Sequence, residues 1–561
     1  MNAGGLPPAD GHDAPAPARP ASRRRDTGGR QAAAARPRSG LSVAVAKVAG
    51  MARIAVMGAG MGAMAAAARL AVAGHRVVVY ERTDTYGGAV RRLERDGFGF
   101  DTGPGLLTLP AVYRDLFVKT GKEPLEECVE LVQVDPSARH VFADGTEVAL
   151  PNASRAGVVA ALDEALGGGA GARWGDFLVR AREAWDRTRR PLLEEPLWSN
   201  WQVLADKEPY PAVPHKRLLR TRRAATLAEI GAWELRDPRL AALLAGYALA
   251  HGVDPASAPA SAAVLPYMEH AFGTWYVRGG IRELARAVYE RCLARRVEFV
   301  FGTEITRVLT EDGRVTGVEL RAGASGASGS AGATVAEAEF VVGAEPWRLG
   351  GQVEGTPYGA GTVAPRPEDR FPGRMVVCLA LRGAREPGAA HRTVVHSADP
   401  EGELDLFRHG TPPKLPTVRI DRPNDAALRP DDAHESMVLT ATVPAATRCD
   451  WGAPGVADAF AERMITAAER AVPDLRERTL WREVRTPLDT ARETGATGGA
   501  VPPPALAAPQ GVLHPANGTA ITGLFGVGGW SHPGGGLPHA GMSGALVAGL
   551  VVEGPDFRGS Q

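Results

Sequence analysis

Residues 53–81 read RIAVMGAGMGAMAAAARLAVAGHRVVVYE, and the order of their properties predicts a strand, a tight turn, a helix and a second strand. Ile54, Ala55 and Val56 form a short apolar run that ends at Gly58. An amphipathic segment follows from Met61 to Val72, and strand character resumes from Arg76 to Tyr80. Gly58 permits the bend, and Gly60 lets backbone approach a pyrophosphate. A helix starting near Met61 offers free N–H groups and its positive dipole end to phosphate. Gly62 follows, and Ala63 stands where the third glycine of a GxGxxG pattern falls. Glu81, at the end of the second strand, is placed to accept hydrogen bonds from an adenosine ribose, and its charge disfavours a 2′-phosphate there. Strand, glycine turn, helix, strand and terminal acid together predict a bound dinucleotide.

The whole chain has 561 residues, too many for one simple core, so several domains are expected. It carries 64 basic and 64 acidic residues, and zero net charge gives no global field for nucleic acid. Residues 1–50 are rich in Pro, Ala, Gly and Arg, with no pattern able to bury a core. They are expected to be a disordered extension, with folding beginning near Met51. Cys128, Cys292, Cys378 and Cys449 form no CxxC pair, which points to free thiols in a cytoplasmic protein. No apolar run of spanning length occurs. The thirteen histidines show no HExxH spacing, so no metal is expected. GMSGA, residues 541–545, narrowly misses a nucleophile elbow and falls inside a helical stretch.

Further along, Tyr86, Gly87 and Gly88 allow a second close backbone approach, and DGFGFDTGP ends in a turn at Gly103 and Pro104. Helices are expected around Val158 to Leu166, Trp174 to Trp185, Leu240 to Leu249 and Val456 to Ala471. Strands of a second sheet are expected over Arg374 to Leu381 and Ser436 to Val443. Lys216 to Arg223, KRLLRTRR, reads as a solvated helix face, with contact to an anionic membrane surface as the sharper alternative. Gly323 to Gly332 reads as a lengthened loop. Near the end, LFGVGGWSHPGGGLPHAGMSGALVAGLVVEG predicts a strand, a glycine loop broken at Pro538, and a small-residue helix from near Ala540. That helix would present a second N-terminus to a ligand.

With the first unit, the double glycine, DTGP, WYVRGG at 275–280 and SHPGGGLP at 531–538, the chain from Met51 to about Gly554 resembles the carotenoid phytoene desaturase family. These are FAD-dependent oxidoreductases related to the amine oxidases. The resemblance implies an α/β fold: a Rossmann-type FAD-binding domain from residues 51–120, 265–345 and 495–556, and a mixed-sheet and helical substrate domain from 121–264 and 346–494. It implies that Gly58, Gly60 and Gly62 cover the pyrophosphate, that Glu81 lies at the ribose, that Gly87 and Gly88 lie on the phosphate and ribityl side, and that Met61, Arg82, Gly103 and Pro104 also bind the cofactor. Ile305 would turn its backbone to the adenine. Gly528, Gly529, His532, Leu537, Pro538, His539 and Ala540 would lead to the isoalloxazine.

Two positions depart from the family pattern. Ala89 stands where many relatives carry arginine, which passes phosphate neutralisation to Arg91 or Arg92. His539 stands near the expected flavin face. The implied reaction is hydride transfer between flavin N5 and a long hydrophobic polyene or isoprenoid, with His539, Glu269, His270 and Arg278 as candidates for proton handling. The alternatives are an NADPH-driven reductive cyclase acting on a polyene tetramate macrolactam, and a non-catalytic prenyl-binding protein of the GDP-dissociation-inhibitor type.

Overall fold

The computed structural model describes residues 50–215, 217–322, 334–343 and 370–559. The expectations for residues 1–49 and 323–332 lie outside them. So do Lys216 and the side chains of residues 215–219.

The first unit forms as its pattern requires. Arg53–Met57 pairs in parallel with Arg76–Glu81 on one side and with Phe340–Gly343 on the other. Glu298–Phe301 and Leu524–Gly526 extend the two edges, giving a five-stranded all-parallel sheet from widely separated segments. Val56, Val79 and Val342 are fully buried, as expected for a parallel sheet covered on both faces. The helix Met61–Val72 is buried almost all round, which its alanine run makes possible. It packs on Leu537–Glu553, with backbone nearly touching backbone, and on Arg282–Ala294. A Cβ on Gly544 would stand 2.5 Å from the Gly62 carbonyl oxygen and 2.8 Å from the Ala65 Cβ.

The second sheet is seven-stranded, in the order Thr479–Arg485, Gly373–Arg382, His434–Val443, Val418–Asp421, Arg392–Val395, Ala138–Val141 and Glu147–Leu150. All its pairs are antiparallel except Arg392–Val395 with Ala138–Val141. Alternation sorts its faces. Met375, Val377, Leu379 and Leu381 pack with Phe460, Met464 and Ile465 of the helix Val456–Ala468. Val376, Cys378 and Ala380 on the opposite face meet Phe98 and Phe100, so the hairpin Arg92–Arg95/Phe98–Asp101 ties the first unit to the second sheet. A helical layer made by Arg155–Leu166, Ala170–Arg189, Pro238–Ala250 and Val264–Phe272 packs around the fully buried Trp174.

Two expectations are corrected. Arg217–Arg222 is a strand paired with Val213–His215, not a helix face. Pro211 and Pro214 just upstream favour extended backbone and withhold helical N–H donors. The last helix begins at Leu537, earlier than Ala540, with Pro538 inside its first turn. Proline suits that place because its missing N–H would have no intrahelical partner there. All four cysteines are free thiols. No helix among the described residues is long and apolar enough to cross a membrane.

Candidate cofactor and active site

Two helix N-termini meet at one place. The helix Met61–Val72 starts after Gly60 and the helix Leu537–Glu553 after Gly536, and neither N-cap has a side-chain cap. Their first-turn N–H groups are thus left for another acceptor. A Cβ on Gly62 would lie 2.8 Å from the Ala540 carbonyl oxygen and 3.2 Å from the Gly528 nitrogen, so Gly62 locks both helix starts to the glycine loop. At Gly60 and Gly528, by contrast, an added Cβ would meet nothing within 4 Å. Open space bounded by bare backbone and two uncapped helix ends is what a dinucleotide's phosphates and flavin end require, so the residues present fit FAD.

Around this cradle, Gly58 has φ +86° and donates its N–H to Tyr80 at 2.8 Å, closing the tight turn. The buried Glu81 carboxylate accepts from the Ala59 N–H at 2.7 Å and the Thr83 N–H at 2.8 Å, which aims it at the turn. Gly87 donates to the Ala59 carbonyl at 2.7 Å, and a Cβ on Gly88 would sit 3.0 Å from the Gly60 Cα, placing the double glycine against the first turn. Gly103 is pressed on the Ala89 carbonyl, with Pro104 next to it. Ile305 is buried at a register shift in the strand Thr303–Glu311. Gly529 abuts Pro502.

Several side chains are engaged elsewhere. Arg82 is exposed and donates to the Arg492 carbonyl at 2.6 Å. Arg91 donates to the Gly88 carbonyl at 2.8 Å, and Arg92 to the Gly279 carbonyl at 3.0 Å, so each braces backbone. The His532 ring hydrogen-bonds the Glu195 carbonyl at 2.9 Å and is fully buried, leaving its backbone to line the loop.

Sequence reasoning missed the groups that hold the cradle. Asn517 donates to the carbonyls of Gly526 and His532, and Ser543 accepts from the Gly528 N–H at 3.0 Å. The Arg282 guanidinium lies over Tyr86, 4.1 Å from the ring centre, and donates to the Val90 carbonyl at 2.8 Å beneath the double glycine. Tyr113 donates to Leu537 O at 2.9 Å, its hydroxyl held protonated by burial. None of these sits in a motif. They reach the site only through the fold.

The candidate proton handlers separate. Arg278 is exposed and pairs with Glu130 at 3.2 Å, which removes it from the interior. Glu269 lies inside, 3.5 Å from Arg392 and 3.4 Å from the Tyr247 hydroxyl; burial raises its carboxyl, and Arg392 opposes the rise. His270 lies beside Tyr247 and Trp174, and burial pushes it down to about 4. His539 is pushed down to about 3, by burial first and then by His251, His514 and His532. No cluster of metal ligands occurs among the described residues.

This geometry defines an FAD-type dinucleotide fold. The family model described as flavin containing amine oxidoreductase matches residues 64–346, just over half of the chain. The 4,4′-diapolycopene oxygenase of Methylomonas sp is 28% identical over 89% of this chain and 98% of that protein. The zeta-carotene-forming phytoene desaturase of Myxococcus xanthus is 29% identical over 88% and 93%. A crystal structure of putrescine oxidase is similar in fold, with TM-score 0.55 at 13% identity over 90% of this chain and 99% of that one.

The chain belongs to the flavin-containing amine oxidoreductase family. It is an FAD-dependent oxidoreductase of the phytoene desaturase type, and the non-catalytic reading is set aside.

Proposed function

We propose that the chain oxidises a long polyene or isoprenoid, removing hydride and a proton from adjacent carbons. The observation that carries this is the meeting of two uncapped helix N-termini at Gly62, beside open space at Gly60 and Gly528, on a chain alike over nearly its whole length to carotenoid-converting enzymes. FAD, when bound, supplies the two-electron chemistry.

The chain's own residues do the rest. The N–H groups after Gly58, Gly60 and Gly62 hold the pyrophosphate, Glu81 accepts from the ribose, and Ile305 offers backbone to the adenine. Gly87, Gly88, Gly528 and Leu537–Ala540 follow the ribityl side. The N-terminus at Leu537 and Pro538 supplies positive potential where negative charge collects on the cofactor. Residues 51–120, 265–345 and 495–556 carry this half of the site, and 121–264 with 346–494 carry the substrate half.

Glu269 takes the proton. A carboxylate raised by burial is a better acceptor than an imidazole pushed down to about 3, which favours Glu269 over His539.

The test is product mass after incubating FAD-loaded protein with phytoene. Loss of two hydrogens is expected, and unchanged phytoene overturns the reading. A second reading is reductive cyclisation of a polyene tetramate macrolactam with NADPH. The polar interior around Glu269, Arg392 and Asp421 favours it, since a hydrocarbon needs no such lining. A gain of two hydrogens from that substrate decides for it. Peripheral membrane contact is proposed through the hairpin that ends at Arg222. Replacing the exposed Arg220 and Arg223 with glutamine should weaken binding to anionic liposomes, and unchanged binding removes the idea.

A further inference from the structure

A small cavity lies where the first unit meets the second sheet. Residues 99–105, the strand Thr274–Val277 and the strands Val418–Asp421 and His434–Val443 bound it, and Asp101, Tyr276, His391 and Asp421 are among the side chains that line it. It measures about 20 Å³, room for one water molecule, and it is not fully enclosed.

Asp101 is committed on one side only. Its Oδ2 accepts from the Ile281 N–H at 2.9 Å, whereas Oδ1 is buried and has no hydrogen-bond partner among the described residues. A buried carboxyl oxygen so placed calls for a proton or a water. Burial pushes Asp101 up to about 7; the Ile281 N–H and Arg92 oppose the rise, and Asp421 adds to it. Of the other groups that act on it or share the cavity, Arg282 is a cation, Tyr276 and Cys378 are held protonated by burial, and His391 is held neutral, pushed down to about 4.

The opposite wall leads to the arginine face of the second sheet, where Arg374, Arg392 and Arg419 stand on three strands. Asp421 pairs with Arg392 at 3.4 Å, and Arg392 pairs with Glu269 at 3.5 Å. Burial would raise Asp421, but Arg419 and Arg392 outweigh it and keep that carboxyl below its ordinary range. Of the two acids at the cavity, Asp101 is the one that exchanges a proton near neutral pH.

Oxidation frees one proton for each hydride that the flavin accepts, and Glu269, enclosed by Arg392 and Tyr247, must pass it on before another turnover. We propose that this cavity is the way out: water in it carries the proton from the Glu269–Arg392–Asp421 network to Asp101, which hands it to solvent. This rests on the reading that Glu269 takes the substrate proton. The transfer returns Glu269 to its carboxylate and changes no other bond.

The test follows FAD-loaded full-length protein with phytoene in the absence of oxygen, above neutral pH and in weak buffer. Flavin bleaching and the colour of a pH-indicator dye are read together in a stopped-flow instrument. In the wild type the proton should appear with the bleaching. Asp101→Asn keeps an acceptor for Ile281; it should bleach at the wild-type rate and release the proton at least about tenfold more slowly, a modest share of what a placed acid–base group contributes. Gly105→Ala keeps both acids and fills the cavity, its Cβ standing 3.6 Å from Asp421 Oδ2 in ordinary contact, and should delay the proton likewise. Infrared spectra of the resting protein need no turnover. The wild-type minus Asp101→Asn difference should hold a protonated carboxyl band that grows as pH falls through about 7. Release that keeps pace with bleaching in either folded variant overturns the proposal, as does a difference spectrum without that band. If Asp101→Asn loses FAD, Gly105→Ala decides. Flavin that does not bleach with phytoene counts against the oxidation instead, and the infrared band still decides for or against Asp101.

Discussion

The glycine cradle and the arginine face of the second sheet are built in opposite ways. The cradle is small-residue backbone: Gly58, Gly60, Gly62, Gly88 and Gly528 hold no charge, and its only carboxylate, Glu81, is tied by two N–H groups. The sheet face is side chain throughout, with Arg374, Arg392, Arg419, Asp421 and Glu269 arriving from four elements. A cofactor common to many proteins is met by geometry that leaves little to vary. The sheet face is instead a set of charges that can be exchanged one at a time.

Acidification should have the largest effect. His251, His270, His391 and His532 are pushed down to about 4, and His396 and His539 to about 3, all chiefly by burial. Each stays neutral in the fold and takes up a proton once unfolded below about 6.5, so stability falls as pH drops from about 6.5 towards 4. Asp101, Glu208 and Glu403, pushed up to about 7, are protonated in the fold and ionised when unfolded across that range, and oppose the trend. Six groups outweigh three. Thermal melts should show a falling melting temperature on acidification, whereas a flat profile would mean that the histidines are solvated.

Asp421→Asn comes next. It leaves Arg392 and Arg419 without their shared carboxylate, and a loss of about 3–5 kcal/mol is expected in denaturant unfolding. Flavin should remain bound to the folded fraction, because the cradle is untouched. Gly62→Val attacks the other side. Its Cβ enters the Ala540 carbonyl and the Gly528 backbone, costing about 1–3 kcal/mol and abolishing the yellow colour of purified protein. Glu81→Gln is the mildest. It trades a charged acceptor for a neutral one and should weaken FAD by about tenfold in a titration of apoprotein, with the fold intact. If Asp421→Asn lost flavin while Gly62→Val kept it, the division between the two regions would be wrong.

The same division explains what the sequence made legible. Residues 53–81 are contiguous and each glycine there has one physical duty, so the strands, the helix and Glu81 could be placed from pattern alone. The terminal glycine block was equally readable, apart from the start of its helix, where Pro538 begins a turn and breaks nothing. Asn517, Ser543, Arg282 and Tyr113 were not legible, because each acts on backbone far away in sequence: Asn517 on His532, Arg282 on Val90, Tyr113 on Leu537. The arginine face was invisible for the same reason, since only strand pairing brings Arg392 beside Asp421 and Arg419 beside Thr440. Arg278 misled because WYVRGG looks like a site, while its arginine points outward to Glu130.

The most direct test of the account is the colour of the bound flavin during a single anaerobic turnover. FAD-loaded protein mixed with phytoene in the absence of oxygen should lose its visible flavin band as product two hydrogens lighter appears in equal amount. A band that persists with phytoene, yet bleaches with NADPH and returns when a polyene macrolactam is added, would contradict oxidation and reverse the direction of electron flow.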